Sequence, residues 1–155
     1  MTIAGFTFNR MLAEKKAPSR GSVSISTNIG LISAEEIDFV MGTTKQKGIK
    51  IIFDYRNTYT PDLGMLIISG DILYLSDQKR HDELMKEWGK SKTFPPEMTA
   101  KLYDQISLKS TVQAIMLSST VGLPPPIPLP RFNAGKPQEQ EAAAKNQSRE
   151  LKAKK

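Results

Sequence analysis

Apolar and polar residues alternate with a period of two through the first half of the chain and follow a helical period after residue 77. Val23, Ile25, Ile29 and Leu31 alternate with Ser24, Ser26, Asn28 and Gly30, which predicts a strand buried on one face. Ile49, Ile51, Phe53 and Tyr55 alternate with Lys50, Asp54 and Arg56 and predict a second such strand. The stretch Pro61-Asp62-Leu63-Gly64 supplies turn residues, and residues 65–75 form the next strand, so these two strands make an antiparallel hairpin. Gly70 within that strand predicts a bulge or the close approach of another backbone. Upstream, residues 5–12 predict a first strand and residues 17–22 a linker. Residues 34–41 continue the second strand or form a short helical turn, and residues 42–48 are expected to be a loop.

Asp77 is a suitable N-cap for a helix to about Lys90, with Leu84, Met85 and Trp88 on one side. Pro95-Pro96-Glu97 opens a longer helix, because proline suits a first turn and an acid complements the helix dipole there. Met98, Leu102, Tyr103, Ile106, Val112, Ile115 and Met116 recur at helical spacing, Gly122 suits a left-handed cap, and Pro124 blocks continuation. Five of the ten residues from Leu123 to Phe132 are proline. Proline has no N–H for a ladder, so this ribbon runs extended. Its apolar Ile127, Leu129 and Phe132 either pack on the chain's own sheet or a protomer interface, or are offered to a partner. Strands first and helices last predict an α+β fold. The expected form is an antiparallel three- to four-stranded meander with a short and a long C-terminal helix packed on one face. Residues 1–135 make the domain, and residues 136–155 make a polar tail, helical or disordered.

With 155 residues the chain is about one domain, and 39% apolar with 25% charged residues fits a globular protein. It has no cysteine, which excludes disulfides, thiolate metal sites and a cysteine nucleophile and fits a cytoplasmic location. No stretch approaches the roughly 18 apolar residues of a membrane span, and the first twenty residues are not a signal peptide. The net charge is +6, and half of it sits in the tail. There Lys136, Lys145, Arg149, Lys152, Lys154 and Lys155 face only Glu139, Glu141 and Glu150. Such a tail suits an anionic partner, rRNA or the ribosome above all, or serves solubility alone.

Candidate chemistry is sparse. The lone His81 follows Lys79 and Arg80 and is expected to be solvated; no His, Asp and Glu cluster has metal-ligand spacing. The stretch Gly42–Gly48 holds glycine, threonine and lysine but leads into a strand, so it lacks the helix that a phosphate loop opens. The adjacent Glu35 and Glu36 diverge, and Ser118-Ser119 has neither a glycine elbow nor a base. No catalytic residue, metal or cofactor is expected. Phe53 and Tyr55 alternate with Lys50, Asp54 and Arg56, which superficially fits an RNA-stacking platform, but they share their face with Ile49 and Ile51, which makes that face core.

The order of elements and the helix stop Val121-Gly122-Leu123-Pro124-Pro125, running on to Pro130-Arg131-Phe132, resemble the bacterial export chaperone SecB and its archaeal SecB-like relatives. The resemblance spans about residues 5–132. It implies a four-stranded antiparallel sheet backed by helices, self-association into dimers or tetramers, and a non-enzymatic protein that holds unfolded polypeptide in apolar grooves. On that basis Phe6, Phe8, Ile127, Leu129 and Phe132 are expected to contact polypeptide or a second protomer, and the six tail cations an anionic partner. The seven methionines suit adaptable binding. SecB is acidic, whereas this chain is basic. The expected function is therefore that of a chaperone or adaptor, with ribosome or RNA association through the tail as the alternative.

Overall fold

The computed structural model describes residues 2–18 and 20–127. Its elements run β1 (Thr2–Lys15), β2 (Ser24–Met41), β3 (Thr44–Thr60), β4 (Gly64–Leu75), α1 (Gln78–Ser91) and α2 (Pro96–Val121). The strands form an antiparallel sheet in the order β1-β4-β3-β2, with both helices on one face, which is the α+β class expected from the sequence. The sheet is a meander only over β2, β3 and β4. β1 pairs outside β4, so the chain crosses from one edge of the sheet to the other before β2, as in a Greek key. That crossing passes over the β3–β4 turn, where the Lys16 and Ala17 amides donate to the Leu63 carbonyl at 2.8 and 3.4 Å. An ion pair of Lys16 with Asp62 at 3.0 Å lies beside it.

Residues 34–41 continue β2 after a bulge between Leu31 and Ser33. The expected loop at 42–48 shrinks to a turn at Gly42-Thr43, because Met41 already pairs with Thr44. Gly42 has φ +65°, the left-handed conformation that tight hairpin turns require and glycine adopts freely. Thr44-Lys45-Gln46-Lys47 is polar throughout, so it carries no alternation to betray a strand, yet it pairs in register with residues 38–41.

The core lies between sheet and helices. Ile49, Ile51, Phe53, Tyr55 and Tyr59 from β3 and Leu66, Ile68, Ile72 and Tyr74 from β4 meet Leu84 and Trp88 of α1 and Met98, Leu102 and Ile106 of α2. Each such burial stabilises by roughly 1.5–3 kcal/mol. Trp88 stacks on Phe94 at 4.9 Å and closes the joint between the helices. Asp77 caps α1 by accepting from the Arg80 amide at 2.9 Å, and Gly122 ends α2 at φ +68°.

Two expectations change here. His81 is buried, at 1% exposure, rather than solvated. It stands three and seven residues before Leu84 and Trp88, on the same helix face, and the β2–β3 tip reaches over it with Glu36, itself bonded to Lys47 at 2.6 Å. Asp82, whose carboxylate lies 3.3 Å from the His81 Nδ1, has its pKa held below the usual value, chiefly by that contact. In α2, Val112, Met116 and Tyr103 point outward, and Ser110, Ala114 and Ser118 take the sheet side instead. The small residues sit where the bulky Tyr55, Asn57 and Tyr59 of β3 need room. A polar seam results, in which Tyr55 meets Thr111 at 3.2 Å and Asn57 donates to Thr27 at 2.8 Å.

Candidate functional site

β4 is apolar on both faces, not one, and β3 adds Ile52 to the second of them. Side chains at alternate positions of β4, from Leu66 to Tyr74, are fully buried under the helices, and those between them are half-buried. Met65, Ile67, Leu73 and Leu75 of β4, with Ile52 of β3, therefore lie on the face opposite the helices. Phe39 of β2 joins this surface: a Cβ on Gly48 would meet Leu73 Cδ1 and Leu75 Cδ2 at 3.0 Å and Phe39 Cε1 at 3.3 Å, so these side chains close over Gly48. Polar groups are threaded between them. Asp54 accepts from Ser69 at 2.5 Å and Arg56 at 3.3 Å, Asp71 accepts from Asn9 at 2.6 Å, and Glu35 stands opposite Lys50 in the ladder. The face is a shallow apolar surface with fixed hydrogen-bonding groups, the chemistry that suits an extended peptide with alternating side chains.

A second apolar surface runs along α2. Leu108, Val112 and Met116 recur every four residues on the helix side away from the sheet and are exposed.

The exit from α2 is pinned to the sheet. Leu123 is buried in the core, and its amide donates to the Ser118 carbonyl at 2.8 Å. Lys15 donates to the Gly122 carbonyl at 3.2 Å, and the Tyr59 hydroxyl donates to the Pro124 carbonyl at 2.7 Å. The start of the proline ribbon thus packs on the chain's own sheet. Burial pushes the Tyr59 pKa up to about 12, and the nearby Tyr55 acts in the same direction. A phenol whose folded pKa lies above its ordinary 10 stabilises fully below about pH 10 and loses that contribution as pH climbs toward 12. Tyr59→Phe should therefore lower stability by about 1 kcal/mol at neutral pH and flatten the decline in melting temperature at alkaline pH. A variant melting curve as steep with pH as the parent's would remove Tyr59 as the cause.

The expected contact residues fall in different places. Phe6 and Phe8 are half-buried on the helix side, 5.1 Å from each other and 5.1 and 6.4 Å from Phe53. Lys109 Nζ sits 4.4 Å above the Phe6 ring. These two rings tie β1 to the core. Ile127 is exposed at the end of the described chain. Leu129, Phe132 and the cations Lys136, Lys145, Arg149, Lys152, Lys154 and Lys155 lie outside the described residues. The two-sided apolar strand escaped the period-two reading, although runs such as Met65-Leu66-Ile67-Ile68 and Ile72-Leu73-Tyr74-Leu75 carry its signal.

Among the described residues no group of three or more His, Cys, Asp or Glu side chains could hold a metal ion, and no helix is long and apolar enough to cross a membrane. No family model matches the chain, and no curated protein matches it. Among solved structures it is similar to the SecB-like chaperone Rv1957 of Mycobacterium tuberculosis, solved in complex with a ChAD peptide from the Rv1956 HigA1 antitoxin. The identity is 10%, the TM-score is 0.50, and the match covers 85% of this chain and 89% of that one. The fold is SecB-like.

Proposed function

We propose that this chain is a non-enzymatic chaperone or adaptor that holds extended polypeptide on the helix-free face of its sheet. The observation that carries this reading is the second apolar face of β4, extended by Ile52 of β3, where Ile52, Ile67, Leu73 and Leu75 stand partly exposed although both helices lie on the other side. A sheet that needed only its own core would place polar residues there. The similarity to a SecB-like chaperone that binds a peptide supports the same reading at the level of the fold. The partner is an unstructured segment with apolar residues at alternate positions. Its charged residues would meet Lys50, Asp54 and Arg56. The chain acts as an assembly of copies joined through the outward stripe of α2.

The test is light scattering from an aggregating client protein. The full chain in stoichiometric excess should suppress the scattering, and Leu73→Asp combined with Ile67→Asp should abolish the suppression while leaving the helix-side core intact. Full suppression by that variant, or none by the parent chain, would refute the reading.

A further inference from the structure

Among the described residues β2 has a strand neighbour, β3, on one side only. Along its other side the N–H and C=O groups of alternate residues point away from the sheet, a template for another strand. Folded proteins blunt such edges with charge, proline or a bulge. From Ser24 to Ala34 there is neither a charged residue nor a proline, and the register with β3 runs unbroken from Ser24 to Leu31. β1, at the other edge, breaks register twice between Ile3 and Arg10.

The side chains of this run add a symmetry. Ile25, Thr27, Ile29 and Leu31 stand opposite Tyr59, Asn57, Tyr55 and Phe53, which are buried under the helices, so they form the helix-side row of β2. The helices do not close over that row: Ile25, Ile29 and Leu31 are half-buried and Thr27 is exposed. Val23, just before the strand, packs against the same core. The row is the same in kind from either end: two aliphatic residues, a threonine, two aliphatic residues. The row between them, Ser24, Ser26, Asn28 and Gly30, is small and uncharged. The strand that matches this pattern in antiparallel sense is β2 itself.

We infer that β2 pairs antiparallel with β2 of a second copy about a two-fold axis at Thr27, perpendicular to the sheet. Such an axis keeps both helix layers on one side, so residues directly opposite share a face. Ile25 then meets Ile29 of the second copy, Val23 approaches its Leu31, and each contact occurs twice. The half-covered aliphatic row is removed from water in both copies. Glu35, Glu36 and Asp38 lie beyond the paired run, so no like charges are set opposite one another. A single contact of this length is weak, so α2 remains the joint at micromolar concentration and the edge adds to it. The inference stands on β2 alone and needs neither the polypeptide reading nor the α2 contact.

The chain has no cysteine, so a single introduced thiol reports the contact cleanly. In a glutathione redox buffer at high protein concentration, Thr27→Cys should give about tenfold more disulfide-linked dimer than Glu35→Cys, which lies on the same strand but far from the axis. Adding Ser26→Lys and Asn28→Lys, which set lysine opposite lysine, should bring the Thr27→Cys yield down to the Glu35→Cys level. Amide hydrogen exchange on the unaltered full chain needs no variant. Alternate amides between Ser24 and Leu31 should exchange about twofold more slowly at millimolar than at low micromolar concentration, as the paired fraction rises. Equal yields from the two cysteine variants, a yield indifferent to the lysine pair, or exchange in this run that does not change with concentration would each overturn the pairing. So would protection that arises only on adding an unfolded client, which would assign the edge to a client strand instead.

Discussion

Adding one methyl group at Gly70 is expected to destabilise the domain by about 3 kcal/mol, as much as truncating a core side chain. Gly70 sits in β4 between Phe8 of β1 and Phe53 of β3. A Cβ there would run into the Thr7 carbonyl oxygen and would stand 2.9 and 3.0 Å from the Phe53 ring. Neither obstacle can yield cheaply. The Phe53 ring is wholly buried and wedged against Phe6 and Phe8. Thr7 is fixed in the β1–β4 ladder, one residue before the register shift that follows Phe8. Relief therefore requires β1 to move away, which unseats two phenylalanines. Gly89 in α1 supplies the control, because nothing lies within 4 Å of a Cβ built there. Gly89→Ala should stabilise by about 0.5–1 kcal/mol through helix propensity alone. Urea unfolding of both variants measures the contrast, and a Gly70→Ala variant as stable as Gly89→Ala would show that the close approach is not real.

The same glycine shows how far the sequence can be read. A glycine interrupting an apolar strand signals that something must come near, and here that something is the backbone of Thr7. The alternating runs at 23–31 and 49–56, the Asp77 cap and the Gly122 stop are legible because each depends on residues within a few positions of one another. Strand order is not. Nothing local in residues 2–15 states that they will pair with residues 64–75 rather than with their nearest neighbour, and the crossing over the β3–β4 turn decides it. The neighbours Lys79 and Arg80 suggest a solvated His81, but its helical spacing to Leu84 and Trp88 places it on the buried face. The bare sheet face was hidden for a related reason. Alternation identifies one buried side of a strand and is silent about the other, so a strand apolar on both sides looks merely hydrophobic. The contact residues proposed near the proline ribbon lie largely outside the described residues, and the described part of the ribbon is anchored by Tyr59 and Leu123.

α2 carries the clearest case of such a hidden second side, and it yields the largest expected effect on assembly. Leu108, Val112 and Met116 are 65, 53 and 61% exposed, spaced by four residues so that their side chains form a continuous stripe. Helix formers of this size gain nothing in water that polar residues would not supply, and burying the stripe against a second copy would remove apolar surface from both. The combined variant Leu108→Glu, Val112→Lys, Met116→Glu replaces the stripe with opposite charges at a spacing of four, which form two ion pairs that support the helix. The folded protomer should therefore keep its stability within about 1 kcal/mol of the parent. Association should fall by a hundredfold or more, since each charge would have to be desolvated in a closed interface. Sedimentation over a concentration series separates the outcomes. The parent chain should sediment as a dimer or larger species and the variant as a monomer. A parent chain that remains monomeric at high micromolar concentration, or a variant that still assembles, would remove α2 as the joining surface.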